Sequence, residues 1–203
     1  MKARIAAAAM AALCLSGCIS LLPKSKPAQL YRFGVGAAGP APARVAGQSF
    51  TVRAASLTFE RAAASDRILT VNGDETAYIA GSRWVTSAAS LFDAAMTGAF
   101  ERSQGPARLL ASGEPAVADY TLKVDVRTFE ARYVQGVGSA PTVVVEAYAA
   151  LVKRGDLTDQ SRLFKAEAPA TSNSLSAIAA AFDQAVGKVL DQMVAWVDAR
   201  GAG

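Results

Sequence analysis

Apolar positions recur along the chain in two periods. Near the C-terminus Leu175, Ile178, Phe182, Val186, Val189, Met193 and Trp196 follow one another at three-to-four-residue spacing, while Asp183, Lys188, Asp191 and Asp198 fall mostly elsewhere. This predicts a long amphipathic helix, with Ser174 or Ser176 as N-cap and Gly201 as its stop. The same spacing in Leu91, Phe92, Ala95, Met96, Ala99 and Phe100 predicts an earlier helix. Thr86 or Ser87 caps it and Gly105-Pro106 ends it. Between the helices the period falls to two. Tyr120, Leu122, Val124 and Val126 alternate with Thr121, Lys123, Asp125 and Arg127, and the phase reverses at Phe129, Ala131 and Tyr133, as a bulge or strong twist would produce. Residues 143–152 read as a largely buried strand, and residues 162–168 place Phe164 and Ala166 on the inner side. With turns at Gly136, Gly138 and Pro141 and at Gly155-Asp156, these three segments predict an antiparallel meander.

Ahead of the first helix, Phe50-Thr51-Val52-Arg53 alternates, and Leu57 and Phe59 continue the pattern after a small-residue gap. A second strand starts at Ile68-Leu69-Thr70-Val71; Asn72-Gly73 is a turn dipeptide, and Ala77-Tyr78-Ile79-Ala80 supplies a partner. Two helices on one face of a mostly antiparallel sheet bury all these stripes together, so the expected class is an α+β fold in one domain over residues 49–203. Residues 18–48 are rich in Pro, Gly and Ala, with Pro23, Pro27, Pro40 and Pro42 blocking a long helix. They read as a tether, which includes a short first strand at residues 30–33.

The N-terminus alters this picture. Lys2 and Arg4 precede an uncharged, alanine-rich stretch over residues 5–15, the layout of a secretory signal and too short to span a bilayer. Leu15-Ser16-Gly17-Cys18 then resembles the lipobox of bacterial lipoproteins. Residues 1–17 are thus expected to be removed as a signal peptide and Cys18 to be lipidated. Of the two cysteines, Cys14 leaves with the signal, so no disulfide framework remains. The net charge of +4 includes Lys2 and Arg4, and the other charges are of mixed sign, which gives no nucleic-acid footprint.

Candidate chemistry is sparse. The chain has no histidine, which removes imidazole bases, the triads built on them and the usual zinc sets. Gly34-Val35-Gly36-Ala37-Ala38-Gly39 fits a dinucleotide-loop pattern, but Pro40 and Pro42 forbid the helix that must open there. Asp66, Asp74, Glu75, Asp156 and Asp159 fall in turns, where carboxylates cap or face water. Neither a cofactor nor a metal is expected, and no residue is assigned a catalytic role. Trp84 and Trp196 read first as core residues. The alternative places Trp84, with Arg83 beside it, on a surface for lipid or a partner.

Four stretches carry a family resemblance. Asp66-Arg67-Ile68 stands before a strand. Residues 77–84, Ala-Tyr-Ile-Ala-Gly-Ser-Arg-Trp, lead into the first helix, which closes with Ala99-Phe100-Glu101. Tyr120-Thr121-Leu122 opens the meander, with Phe129 and Tyr133 following, and Ala181-Phe182-Asp183-Gln184-Ala185 sits in the last helix ahead of Val189-Leu190 and Trp196. In this order and spacing, behind a lipobox, the chain resembles the ABC-type transport auxiliary lipoproteins, which include the PqiC-like proteins. It departs from some relatives at Leu57-Thr58, where they carry Leu-Pro.

The resemblance implies a non-enzymatic component that works with ABC transporter subunits and an MCE-domain protein to move lipid between the inner and outer membranes. It also implies anchoring at the outer membrane with the domain facing the periplasm, and a homo-oligomeric ring. Ile19, where an aspartate would tend to retain a lipoprotein in the inner membrane, agrees with that address. The competing expectation is a structural envelope lipoprotein that supports outer-membrane assembly or contacts peptidoglycan.

Overall fold

A computed structural model of the chain describes residues 27–34, 49–55, 57–156 and 159–201. Its frame is the predicted meander: β8 (Tyr120–Arg132), β9 (Thr142–Lys153) and β10 (Asp159–Pro169), paired antiparallel along their lengths. The register of β8 against β9 shifts between Val126 and Thr128. Arg127 is the extra residue, so the inner face passes from Tyr120, Leu122, Val124 and Val126 to Phe129 and Ala131, as the reversed phase predicts.

The other edge of β8 carries short strands that run parallel to it. β2 (Phe50–Ala54) pairs with its start, β3 (Thr58–Phe59) with its middle and β4 (Leu69–Asn72) with its end, while β7 (Ala107–Leu109) extends the sheet beyond β2. The sheet is therefore mixed: its longest ladders are antiparallel, and the parallel pairings are short. Alternation reveals a strand and its buried face but not its partner, so these parallel additions carry no signal in the pattern. β4 and β5 (Glu75–Tyr78) form the expected hairpin, with Asn72 opposite Glu75. Gly73, at φ +60°, takes the first of its two central positions, where the twist of a tight hairpin demands a positive φ.

Both predicted helices form. α1 (Ala88–Arg102) is capped by Ser87, whose hydroxyl accepts the Ser90 N–H at 3.1 Å, and α2 (Leu175–Gly201) by Ser174, which accepts the Ala177 N–H at 3.3 Å. α2 lies over β9 and β10. The surfaces that meet there carry Ala147, Ala149, Ala166, Ala168, Ala181 and Ala185, all buried, and these small residues let helix and sheet approach closely. The polar face of α2 does more than meet water. Asp198 accepts the Ala107 N–H at 2.9 Å and the Ser103 hydroxyl at 3.2 Å, which fastens β7 and the end of α1 to α2.

The N-terminal segment departs from expectation. β1 (Gln29–Tyr31) pairs in parallel with β6 (Ser82–Trp84), and Phe33 beyond it is a core residue. Gly34 then crosses both helices. Its N–H donates to Asp183 Oδ1 of α2 at 2.6 Å, and its φ is +74°. A Cβ built there would stand 2.3 Å from Ala95 Cβ of α1. The folded body thus begins by Gln29, not at residue 49, and residues 29–34 pack on it, with Phe33 in the core, rather than serving as tether. The signal peptide, Cys18, and Gly36 and Gly39 of the glycine pattern lie outside the described residues.

Gly34→Ala combines a disfavoured backbone with a clash, so it should destabilise the domain by about 2–4 kcal/mol. Gly113→Ala, at φ +81° with open space around it, should cost only about 1–2 kcal/mol. Urea denaturation of the two variants checks this; equal midpoints would refute the close approach of Gly34 to α1.

Candidate functional site

The stretches that carry the resemblance meet in space. Trp84 at the end of β6, Phe129 after the bulge of β8 and Phe182 of α2 form an aromatic cluster with Phe33. Trp84 stands edge-on to Phe33 at 5.0 Å and to Phe182 at 5.2 Å, and Phe129 lies 4.8 Å from Phe182. Phe59 and Phe92 extend the cluster toward α1. Edge-to-face pairs of this kind contribute about 0.5–1.5 kcal/mol each beyond the area they bury. The bulge of β8 is what aims Phe129 inward, and β6 delivers Trp84 because the Trp84 N–H donates to the Asp66 carbonyl at 2.7 Å.

This corrects the surface reading of Trp84. The side chain is 1% exposed, and its indole N–H has no acceptor among the described residues. Arg83 points the other way, into solvent, and donates to Asp66 Oδ2 at 2.8 Å. The outward neighbours of Arg83 are apolar: Leu30, its partner across the β1–β6 ladder, and Val85, whose N–H donates to the Tyr31 carbonyl. Behind this patch Tyr78 donates its hydroxyl to the Ala62 carbonyl at 2.9 Å and receives the Arg67 guanidinium over its ring at 3.7 Å. The motif residues Asp66, Arg67, Tyr78, Phe182 and Asp183 thus all serve to hold residues 29–34 and 59–85 in place. Trp196 packs edge-on against Phe164, also in the core.

Several carboxylates elsewhere are engaged in local bonds. Glu114 receives two nitrogens of Arg108, and this hydrogen-bonded pairing holds its carboxyl below the usual range. Asp119 accepts the Thr51 N–H and hydroxyl, both at 2.8 Å, and these bonds lower its pKa likewise. Lys165 bridges Glu146 and Glu167 on the outer sheet face, and its ammonium titrates above its ordinary value because of the bond to Glu167 and then that to Glu146. Asp66, Asp74 and Asp156 stand on separate turns and face no common cleft. Among the described residues no three His, Cys, Asp or Glu side chains converge as metal ligands. Two depressions are an open one of about 630 Å³ on the outer sheet face, between Lys123, Arg127 and Tyr148, and one of about 480 Å³ between α1 and the turn after β7.

The sequence model of a family described as the ABC-type transport auxiliary lipoprotein component matches residues 31–194. The chain belongs to this family. A crystal structure from Xanthomonas campestris, assigned to a family designated DUF330, aligns with a TM-score of 0.70 at 28% identity, covering 86% of this chain and 97% of that one. An uncharacterized protein of known structure aligns at 0.63 and 15% identity, covering 88% and 100%. A hypothetical protein from Chlamydia trachomatis aligns at 0.52 and 7% identity, covering 74% and 96%; these last two show a shared fold. Curated proteins give no match. The family match begins at Tyr31, inside β1, which agrees with a domain that includes the N-terminal segment.

The sequence places Phe33 in a short first strand and Asp183 on the polar side of the last helix, but it shows neither the burial of Phe33 nor the bond from Gly34 to Asp183. The available signal was short: an aromatic followed by glycine after a β-like triplet.

Trp84→Ala should cost about 3–5 kcal/mol, as emptying a large aromatic site does, whereas Arg83→Ala removes an exposed ion pair and should cost less than about 1 kcal/mol. Thermal or urea unfolding separates the two. Similar losses at both positions would contradict the division into a buried and an exposed face.

Proposed function

We propose that this protein is an outer-membrane-anchored, non-enzymatic component of an ABC transport system that moves lipid between the inner and outer membranes. The observation that carries the proposal is the family match over residues 31–194 behind a lipobox at Cys18. Diacylglycerol on Cys18 holds the chain to the membrane, since two acyl chains anchor stably where one does not. The domain then faces the periplasm and engages an MCE-domain protein and the transporter subunits, either singly or as a ring of identical copies.

The geometry supports a docking role in two ways. The interior is filled by side chains around the aromatic cluster, so the domain presents surfaces rather than a reaction chamber. Asp119, Glu114, Asp183 and Asp198 are engaged in pairs and backbone bonds that fix loops.

The test is photo-crosslinking in living cells from an unnatural residue at exposed Leu30, Val85 or Val117, followed by mass spectrometry of the captured proteins. Recovery of transporter and MCE-type subunits is the expected result. Recovery of peptidoglycan-binding or assembly proteins alone, from all three positions, would replace this reading with that of a structural envelope lipoprotein.

A further inference from the structure

The two ends of the sheet differ in charge. At one end, the loop from Tyr133 to Pro141 and the segment from Ala170 to Ala180 contain no Asp, Glu, Lys or Arg. They are locked to each other. Tyr133 donates its hydroxyl to Asn173 Oδ1 at 2.7 Å, Asn173 Nδ2 donates to the Val137 carbonyl at 2.8 Å, and the Ala170 N–H donates to the Pro141 carbonyl at 2.9 Å. The loop lies beyond the last rungs of its ladders, Arg132 opposite Thr142 and Pro169 opposite Thr142. On it, Val134 and Val137 are 78% and 65% exposed, against the ordinary burial of valine. The charges at this end are Asp74 and Glu75 at the β4–β5 turn and the Arg132–Glu130 ion pair on the last rungs of β8, which lie outside the loop itself. The opposite end carries Arg53, Arg108, Glu114, Asp119, Lys153 and Arg154.

The N-terminal segment approaches from the uncharged end. β4 is parallel to β8 and so points toward the loop. Residues 79–89 run antiparallel to residues 64–68, which lead into β4: Ile79 donates to Ile68, Trp84 to Asp66, and Ala88 to Ser65. β6 therefore points away from the loop, and so does β1, its parallel partner. Residues ahead of Gln29 lie on the loop side. From Cys18 to Pro27 is a reach of nine residues, at most about 30 Å of extended chain. An anchor that short keeps the uncharged end close to the lipid.

We propose that the β8–β9 loop, through Val134 and Val137, rests in the headgroup boundary of the anchoring bilayer and fixes the domain with its charged end directed away. Rigid loops with no charge and exposed aliphatic tips suit that boundary, where a charged group would lose hydration. The proposal rests on the acyl anchor at Cys18.

The experiment uses the full acylated chain in vesicles of phosphatidylethanolamine and phosphatidylglycerol. With Cys18 acylated, Val137→Cys supplies a unique thiol for an environment-sensitive fluorophore, and Val117→Cys, on the loop before β8, does the same at the opposite end. Vesicles carrying brominated acyl chains should quench and blue-shift the probe at 137 and leave that at 117 unchanged. Val134→Asp should lessen the quenching at 137 without releasing the protein. Flotation with no quenching at 137, or with equal quenching at both ends, would overturn the seating and leave the anchor standing. Failure to float would overturn the anchor and the seating together. A probe at 137 that is shielded from aqueous iodide before vesicles are added would instead mark a contact between copies of the chain, and would also overturn the seating.

Discussion

The insertion of Phe33 beside Trp84 and Phe129 is the contact on which the arrangement of this domain depends. A chain segment of six residues, 29–34, has little surface of its own to bury, and ordering it costs about 1–2 kcal/mol per residue in backbone entropy. What offsets that cost is one large side chain placed in an aromatic pocket, helped by the β1–β6 ladder and by the bond from Gly34 to Asp183. In return the segment spans α1 and α2 and covers Trp84 from the solvent side. The long strand β8 supplies the other half of the constraint, because its bulge turns Phe129 inward at the level where Trp84 and Phe182 arrive.

Much of this was legible from residue order alone. Both helices, their Ser caps, the meander and the phase reversal near Phe129 follow from periods of 3.6 and 2. Long-range pairing was not legible. Phe50-Thr51-Val52-Arg53 alternates in the same way whether its neighbour runs parallel or antiparallel, and only the three-dimensional register of β2, β3 and β4 on β8 resolves it. The core role of residues 29–34 was hidden for a related reason. Three residues of strand and one phenylalanine, flanked by proline and glycine, have the composition of a linker, and their partners lie some 50 to 150 positions later in the chain, as the 149-residue separation of Gly34 from Asp183 illustrates.

The candidate surface was half legible. Arg83 and Trp84 are adjacent in sequence and alternate in a strand, so they must point to opposite sides of β6; the apolar neighbours of Arg83 outside are Leu30 and Val85 instead. The motif residues that identify the family prove to be structural in this chain. They assemble the aromatic cluster and pin its N-terminal segment. In the proposed anchored form such a design has a physical reason: a force along the anchor would reach the domain through residues 29–34, and a segment fastened by Phe33 and Gly34 would pass it to both helices.

The most direct test of this account compares the acyl-free chain beginning at Pro27 with one beginning at Val35 by urea unfolding followed through tryptophan fluorescence. Loss of the segment should lower stability by about 3–5 kcal/mol, the cost of emptying a buried phenylalanine site, and should red-shift the native emission as Trp84 gains water. Unchanged midpoint and unchanged emission would contradict the claim that Phe33 and its segment complete the core.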